Sequence, residues 1–371
     1  MPKNIVILFS DTGGGHRASG EAIRDALLAE YGAEAQVQMV DGLKHYAQPP
    51  FNRAPELYPE LISHRRLWQW AYDLTDGPRR SRFMMSLLWP GSRPGTLQFL
   101  RDYRADVYVV IHPAFLTPLD NGLRRPRPPV IAIVTELMCF HALWSHPADV
   151  YVTPTEAARQ HLISNGVAPD KVRVLGLPVA SRFCNGDGDK ARLRARLGWG
   201  SGRPVVLLVG GGEGMGAVAD IARAISDSGL KCELAVVAGR NQALRASLEA
   251  AAWNMPAHIY GFVTEMPDYM RAADVLVTKA GPTTLCEAFS VGLPIVVYDY
   301  LPGQEEWNAS YVVESGAGRL ALGPQAVVEA LGQLFGPQAH PQALAQAARN
   351  AGKLARPDAA ARIAELIWHS G

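Results

Sequence analysis

Thr278-Lys279-Ala280-Gly281-Pro282-Thr283-Thr284-Leu285-Cys286-Glu287 lies between two short apolar runs, Asp274-Val275-Leu276-Val277 and Leu293-Pro294-Ile295-Val296-Val297-Tyr298. Runs of this length, free of polar alternation, suit strands buried on both faces of a parallel sheet. The ten residues between them read as a small, flexible turn followed by a helix that contains Glu287. Such a turn leaves the backbone N–H groups of Gly281, Pro282-flanking Thr283 and Thr284 near a helix start, where anionic phosphate binds well. A carboxylate inside that helix, Glu287, can accept hydrogen bonds from two neighbouring ribose hydroxyls. One strand further on, Gln304, Glu305 and Asn308 bring amide and carboxylate groups suited to a sugar. The stretch reads as half of a nucleotide-sugar site.

The pattern repeats outward in both directions. Ile5-Val6-Ile7-Leu8-Phe9 is a further buried-strand run, followed by Ser10-Asp11-Thr12-Gly13-Gly14-Gly15-His16 and an amphipathic helix from about Arg17 to Ala29. Three consecutive glycines allow a tight turn and close backbone approach. They place His16 at the carboxyl edge of the strands, where open α/β sheets bind ligands. The same glycines also suit a plain strand-to-helix turn with His16 as its cap; paired with the 278–287 stretch, the ligand-binding reading leads. Further strands are expected at Ala35–Asp41, Ala105–Ile111 (ending in His112) and Val130–Val134 (ending in Thr135 and Glu136). His112 fits a catalytic or a structural role. Regular strand–helix alternation predicts a doubly wound parallel sheet.

Pro204–Val209 opens a second set of the same kind, with Gly210-Gly211-Gly212-Glu213-Gly214-Met215-Gly216 as another phosphate-sized glycine loop. Gly212 to Ala217 fits a G-x-G-x-x-A dinucleotide pattern. The next strand, however, runs into Gly239-Arg240 rather than the acidic residue that holds an NAD ribose, which argues against a nicotinamide cofactor. His258-Ile259-Tyr260-Gly261-Phe262-Val263 ends in a loop where Phe262 can either stack a flat base or pack in the core. The expected organisation is an N-terminal domain over 1–183, a linker over 184–203, a second domain over 204–355, and a last helix, 356–371, crossing back to the first. Asp187 and Asp189 form an Asp-x-Asp pair, taken as part of the linker turn rather than a metal site.

Bulk properties narrow the class. The chain has 371 residues, long enough for two domains with cores of their own. Its net charge of +1 argues against a general affinity for nucleic acid. Four scattered cysteines match no metal-site spacing and read as reduced thiols. Apolar runs fall short of the ~18 residues needed to span a bilayer, and no signal-peptide pattern opens the chain. The expectation is a cytoplasmic protein, peripheral on the inner face of the cell membrane. Between Phe51 and Trp89, aromatics and arginines are interleaved, including Trp68, Arg79, Arg80, Arg82, Phe83 and Met84. Rings at headgroup depth with cations on anionic lipid would explain that mixture; a Trp-rich helical core with solvated arginines is the competing reading.

Taken together, Ser10 to Ser19, Val209 to Gly216, Gly261 to Pro267, Thr278 to Glu287 and Gly303-Gln304-Glu305 with Asn308 resemble, in order and nearly end to end, the monogalactosyldiacylglycerol synthases. The wider group includes diacylglycerol glucosyltransferases and the enzyme that adds N-acetylglucosamine to lipid I. The resemblance implies a GT-B fold, α/β with two Rossmann-like doubly wound domains facing across a cleft, the donor on the C-terminal one. It implies that Phe262 and Val263 hold uracil, Glu287 the ribose, and Gly212, Gly281, Pro282, Thr283 and Thr284 the diphosphate. Gln304 and Glu305 would contact the donor sugar, with Asn308 supporting their loop. His16 would be the general base, neutral and near its reference pKa of about 6.5, and Glu136 a second catalytic candidate. Two residues depart from the family pattern: Glu136 replaces an aspartate, and Trp307 replaces a glycine common before Asn308. The implied reaction is inverting transfer of a hexose, galactose before glucose, from a UDP-sugar to 1,2-diacylglycerol, with no metal or other cofactor and no nucleic-acid partner. A UDP-sugar 2-epimerase and a non-catalytic UDP-sugar sensor are the alternatives.

Overall fold

The computed structural model describes all residues except 1, 12–13, 48–50, 54–63, 187, 213 and 215, and leaves out the side chain of Phe51. Thr12 and Gly13 of the first glycine loop, Glu213 and Met215 of the second, Asp187, and 54–63 of the aromatic–arginine segment therefore lie outside the described residues. Among those described, the strands form two six-stranded sheets, parallel throughout. The chain divides into two compact units. One comprises 1–181, 301–307 and 356–371; the other comprises 182–300 and 308–355.

In the first unit the strands are β1 (Lys3–Phe9), β2 (Ala35–Asp41), β3 (Val107–Val110), β4 (Val130–Ile133), β5 (Val150–Thr153) and β6 (Val172–Val174). Their order is β2-β1-β3-β4-β5-β6. Odd and even positions of β1 serve different cores. Ile5, Ile7 and Phe9 pack with Ile23 and Leu27 of helix Gly15–Tyr31 and with Ile363 and Ile367 of helix Ala359–His369. Val6 and Leu8 pack with Phe99, Leu116 and Leu119 on the other side. A strand covered on both faces has no exposed positions for polar residues, which is why its sequence is an unbroken apolar run. The last helix is stapled by stacking of Trp368 on Tyr31, with ring centroids 4.0 Å apart, and by Lys3 Nζ donating to the Trp368 carbonyl at 2.5 Å.

The second unit contains β7 (Val205–Val209), β8 (Glu233–Val237), β9 (Ala257–Tyr260), β10 (Val275–Lys279), β11 (Ile295–Asp299) and β12 (Gly318–Leu320). The order here is β12-β11-β10-β7-β8-β9. Within 184–203, expected as a linker, the structure has a helix, Lys190–Leu197, capped by the Asp189 side chain. Its Arg194 is buried, pairs with Asp274 and donates from Nε to the Ala272 carbonyl at 2.8 Å. Asp274 also accepts from the Val205 N–H at 2.7 Å, so one carboxylate fixes the start of β7, the start of β10 and this helix.

Candidate active site

In the first unit the site candidates follow neighbouring strands. His16 follows β1, His112 follows β3 and Glu136 follows β4, and these three strands are adjacent in the sheet. Gly14 precedes the helix with φ 83°, a left-handed conformation that a glycine takes without strain. His16 thus falls in the first turn. The loop is anchored behind it by Asp41, which accepts from the Asp11 N–H at 3.1 Å, and Asp11 pairs with Arg17 at 2.8 Å.

The rings of His16 and His112 meet edge to face, centroids 5.1 Å apart. His112 Nδ1 accepts from the Ala114 N–H at 3.4 Å, which leaves the proton of its neutral ring on Nε2. His16 Nδ1 is enclosed with no hydrogen-bond partner among the described residues. The residue-level surface of His16 is only half-buried, yet burial of the imidazole pulls its pKa down to about 4, opposed by Asp11. His112 is held at about 3, by burial first and by His16 second. The expectation of a His16 pKa near its reference value is therefore corrected: two rings sharing one poorly solvated pocket both resist protonation. Glu136 is buried at 4% exposure, and its charge is among those raising the pKa of Tyr72, after burial and Asp76.

Tyr72 is one of the aromatics of the 51–89 segment and was not among the site candidates. Its ring lies edge to face with His141, centroids 4.9 Å apart, and His141 Nε2 is 3.1 Å from Thr75 Oγ1. A Cβ on Gly303 would stand 2.9 Å from the same tyrosine ring. The 301–307 loop, with Gln304 and Glu305, is thereby part of the first unit's fabric. Glu305 Oε2 accepts from the Leu301 N–H at 2.9 Å, which closes that loop on itself. Nothing in the local pattern around Tyr72 marks it; only tertiary packing does.

In the second unit, helix Pro282–Ser290 follows β10 directly. Gly281 stands at its cap and makes no side-chain hydrogen bond to it, and a helix start of this kind suits an anion. Asn308, fully buried, donates from Nδ2 to the Ala280 carbonyl at 3.3 Å and so braces the turn ahead of Pro282. Glu287 lies in the second turn of the helix. Burial pushes its carboxyl up to about 8, opposed by Arg182, whose Nη1 donates to the Thr264 carbonyl at 3.1 Å. Phe262 is 55% exposed rather than packed in the core, and Val263 is half-buried beside it. Gly212 lies in the loop after β7, its carbonyl accepting from the Arg240 N–H at 2.8 Å.

The acceptor-side candidates occupy helices Arg65–Thr75 and Pro78–Asp102. Arg79, Arg80, Arg82 and Phe83 are exposed, Met84 and Trp68 half-buried. Trp70, which sequence inspection did not single out from its neighbours, is the more exposed tryptophan at 62%.

Two doubly wound parallel-sheet units with glycine loops and ionisable side chains at strand ends define the GT-B class, which includes nucleotide-sugar glycosyltransferases and related epimerases. Structural comparison agrees: the chain is similar to MurG of Acinetobacter baumannii, with TM-score 0.63, 18% identity, and 98% and 99% of the two chains covered. It is also similar to UDP-GlcNAc 2-epimerase from Neisseria meningitidis, with TM-score 0.65, 16% identity, and 98% and 99% covered. Residues 16–179 match the family model for monogalactosyldiacylglycerol (MGDG) synthase, and 205–363 that for the glycosyltransferase family 28 C-terminal domain. Probable monogalactosyldiacylglycerol synthase 2, chloroplastic, of Oryza sativa subsp. japonica is 38% identical over 98% of this chain and 80% of its own length. Monogalactosyldiacylglycerol synthase 1, chloroplastic, of Arabidopsis thaliana is 36% identical over 98% and 70%. The chain belongs to the monogalactosyldiacylglycerol synthase family, and it is a glycosyltransferase.

Proposed function

We propose that the protein transfers galactose from UDP-galactose to the free hydroxyl of 1,2-diacylglycerol and releases UDP. The observation that carries this reading is the 36–38% identity, over 98% of this chain, with proteins named for that product. His16 accepts the proton of the acceptor hydroxyl, the hydroxyl oxygen bonds to the anomeric carbon, and the bond from that carbon to the phosphate oxygen breaks. In-line displacement on an α-linked donor yields a β-linked galactolipid. Glu287 takes the ribose hydroxyls. The amides that open helix Pro282–Ser290 and the Gly212 loop take the diphosphate, and these fixed dipoles stabilise the leaving charge without a metal.

The lipid side of the reading rests on side chains exposed along two consecutive helices. Leu67, Trp70 and Leu74, spaced i, i+3, i+7, are exposed on helix Arg65–Thr75, and Phe83 and Leu87 on the helix that follows. Arg65, Arg66, Arg79 and Arg82 are exposed among them. That arrangement fits peripheral docking on an anionic membrane. Among the described residues, no helix is long and apolar enough to cross one. We place the enzyme on the inner face of the cell membrane.

The test is an assay of UDP-galactose, UDP-glucose and UDP-N-acetylglucosamine, each with diacylglycerol in anionic vesicles, with products identified by mass and sugar analysis. β-Galactosyl diacylglycerol from the first donor, made equally well in excess chelator, is the expected result. A glucosyl product would correct the sugar. Donor consumption without a lipid product would overturn the transferase reading. His16→Ala should lower turnover by about 10²–10⁴-fold with UDP affinity unchanged; near-wild-type turnover would remove His16 as the base.

A further inference from the structure

Helix Arg65–Thr75 carries an exposed apolar row and buries none of its residues. Only Trp68, Tyr72 and Thr75 are half-buried, so packing into a core does not set its direction. The ties at its C-terminal end are polar. Asp76, the residue after its last turn, accepts with Oδ1 from the Ala142 N–H and from the Gly77 N–H, both at 2.8 Å. His141 Nδ1 accepts from the Leu143 N–H at 3.2 Å, which leaves the proton of the neutral ring on Nε2, 3.1 Å from Thr75 Oγ1. That hydroxyl in turn donates to the Ala71 carbonyl at 2.8 Å. A chain of hydrogen bonds therefore runs from the turn after His141 into the helix backbone.

The next helix is tied to the same segment. Gly77, at φ 104°, turns the chain between the two helices, and Arg80 Nη1 donates to the Asp73 carbonyl at 3.0 Å. Ser81 Oγ, fully buried, lies 3.0 Å from Nε2 of the buried His146. Thr75, Asp76 and Ser81 thus reach residues 141, 142 and 146, which follow β4 and Glu136 in the first unit. The helix that exposes Leu67, Trp70 and Leu74 is indexed to the sheet edge that carries Glu136.

We propose that Asp76 and His141 are positioning residues for the transfer. They hold the lipid-docking helices at a fixed angle to the carboxyl edge of the first sheet, so that diacylglycerol drawn from a membrane is presented to the reacting groups. A polar hinge suits this task because hydrogen bonds fix direction, whereas apolar contacts are non-directional. Misplacing a reactant by about 1 Å can cost about 10²-fold in rate, while one half-buried hydrogen bond is a small part of the stability of a domain. The proposal rests on the docking face proposed above and goes beyond it: docking and presentation fall to different side chains.

The test compares wild-type protein with Asp76→Ala, Asp76→Asn and His141→Phe, which keeps a ring against Tyr72. Each is measured for partitioning onto phosphatidylserine–phosphatidylcholine vesicles carrying diacylglycerol, for kcat and KM on those vesicles, and for thermal unfolding. Asp76→Ala and His141→Phe should each lower kcat by about 10-fold, with partitioning within about twofold of wild type. Asp76→Asn keeps an oxygen that can accept both N–H bonds and should recover most of the loss. Partitioning that falls in step with kcat would make the hinge part of docking, and a kcat that follows the folded fraction would make it structural. Either result overturns the proposal, as does unchanged turnover by Asp76→Ala or a failure of Asp76→Asn to recover it. Wild-type protein that does not partition would overturn the docking face and the proposal with it, and wild-type protein that partitions but forms no glycolipid would overturn the transfer itself.

Discussion

His16 and His112 share a pocket too poor in water to hold a charge, and the consequence is visible in kinetics. Because His16 must be neutral to accept a proton, activity falls where it becomes protonated. Its pKa of about 4 puts the acidic limb of kcat/KM near pH 4, well below an ordinary histidine. His112→Ala opens space beside His16 and admits water, which eases the burial that holds the His16 pKa down. The limb should then move up by about 1 pH unit. A pH–rate profile of both proteins checks this, and a limb that stays put would show that His112 has no influence on the base. His16 was legible as a candidate because a glycine run and a helix start place it by local chemistry. The contact with His112, 96 positions later in the chain, was not, because it depends on β1 and β3 being neighbours. Glu287 was legible for the same local reason as His16; the burial that pushes its carboxyl up to about 8 was not.

Helices Arg65–Thr75 and Pro78–Asp102 carry two separable jobs at the scale of whole elements. The outward face is apolar and cationic, the inward face structural. Replacing Trp70 and Phe83 by serine together should weaken partitioning onto anionic vesicles by about 10-fold or more, since each large side chain contributes on the order of 1–2 kcal/mol when it enters an interface. Turnover of a short-chain, water-soluble diacylglycerol should stay unchanged. Equal loss on both substrates would show that these side chains serve the fold instead. The inward face is tested at Gly95. A Cβ there would stand 1.8 Å from the Tyr46 carbonyl oxygen, so helix Pro78–Asp102 and helix Gly42–Tyr46 touch only because position 95 has no side chain. Gly95→Ala should destabilise the protein by about 1–3 kcal/mol, read as a lower denaturation midpoint. Composition announced that 51–89 differs from the rest of the chain. Which tryptophan faces outward is decided by helix phase and by packing under Trp68, and composition does not encode either.

At the scale of the whole molecule, alternating strands and helices were enough to predict two doubly wound sheets, since buried parallel strands must be apolar throughout. Unit membership was harder to read for 301–307 than for 356–371, the last helix, which was expected to cross back to the first domain. Residues 301–307 and 356–371 join the first unit through Gly303 against Tyr72 and Trp368 against Tyr31, contacts between positions far apart in sequence. That partition has a consequence for stability, because the strongly shifted groups that titrate between about pH 3 and 8 are histidines moved down in the first unit and a carboxyl moved up in the second. The first unit holds His16 at about 4, His112 at about 3 and His146 at about 4; burial is the leading cause for each. Their folded pKa values lie below the unfolded value of 6.5, so their contribution is complete above pH 6.5 and is lost as pH falls toward 4. The second unit holds Glu287 at about 8 against an unfolded 4.5. A raised carboxyl contributes fully below pH 4.5, and that contribution is lost as pH rises through 8. Hydrogen exchange resolved by peptide, corrected for intrinsic rate and read at pH 5, 6.5 and 8.5, should show the opposition directly. Protection of β1, β3 and helix Gly15–Tyr31 should rise from pH 5 to 6.5, by about 1–2 kcal/mol per histidine at most after solvent screening. Protection of β10 and helix Pro282–Ser290 should fall from pH 6.5 to 8.5, and Glu287→Gln, which cannot ionise, should abolish that fall while leaving the first unit's response intact. Parallel pH responses in the two units, or a fall that survives Glu287→Gln, would show that these buried groups do not govern the stability of the units that hold them.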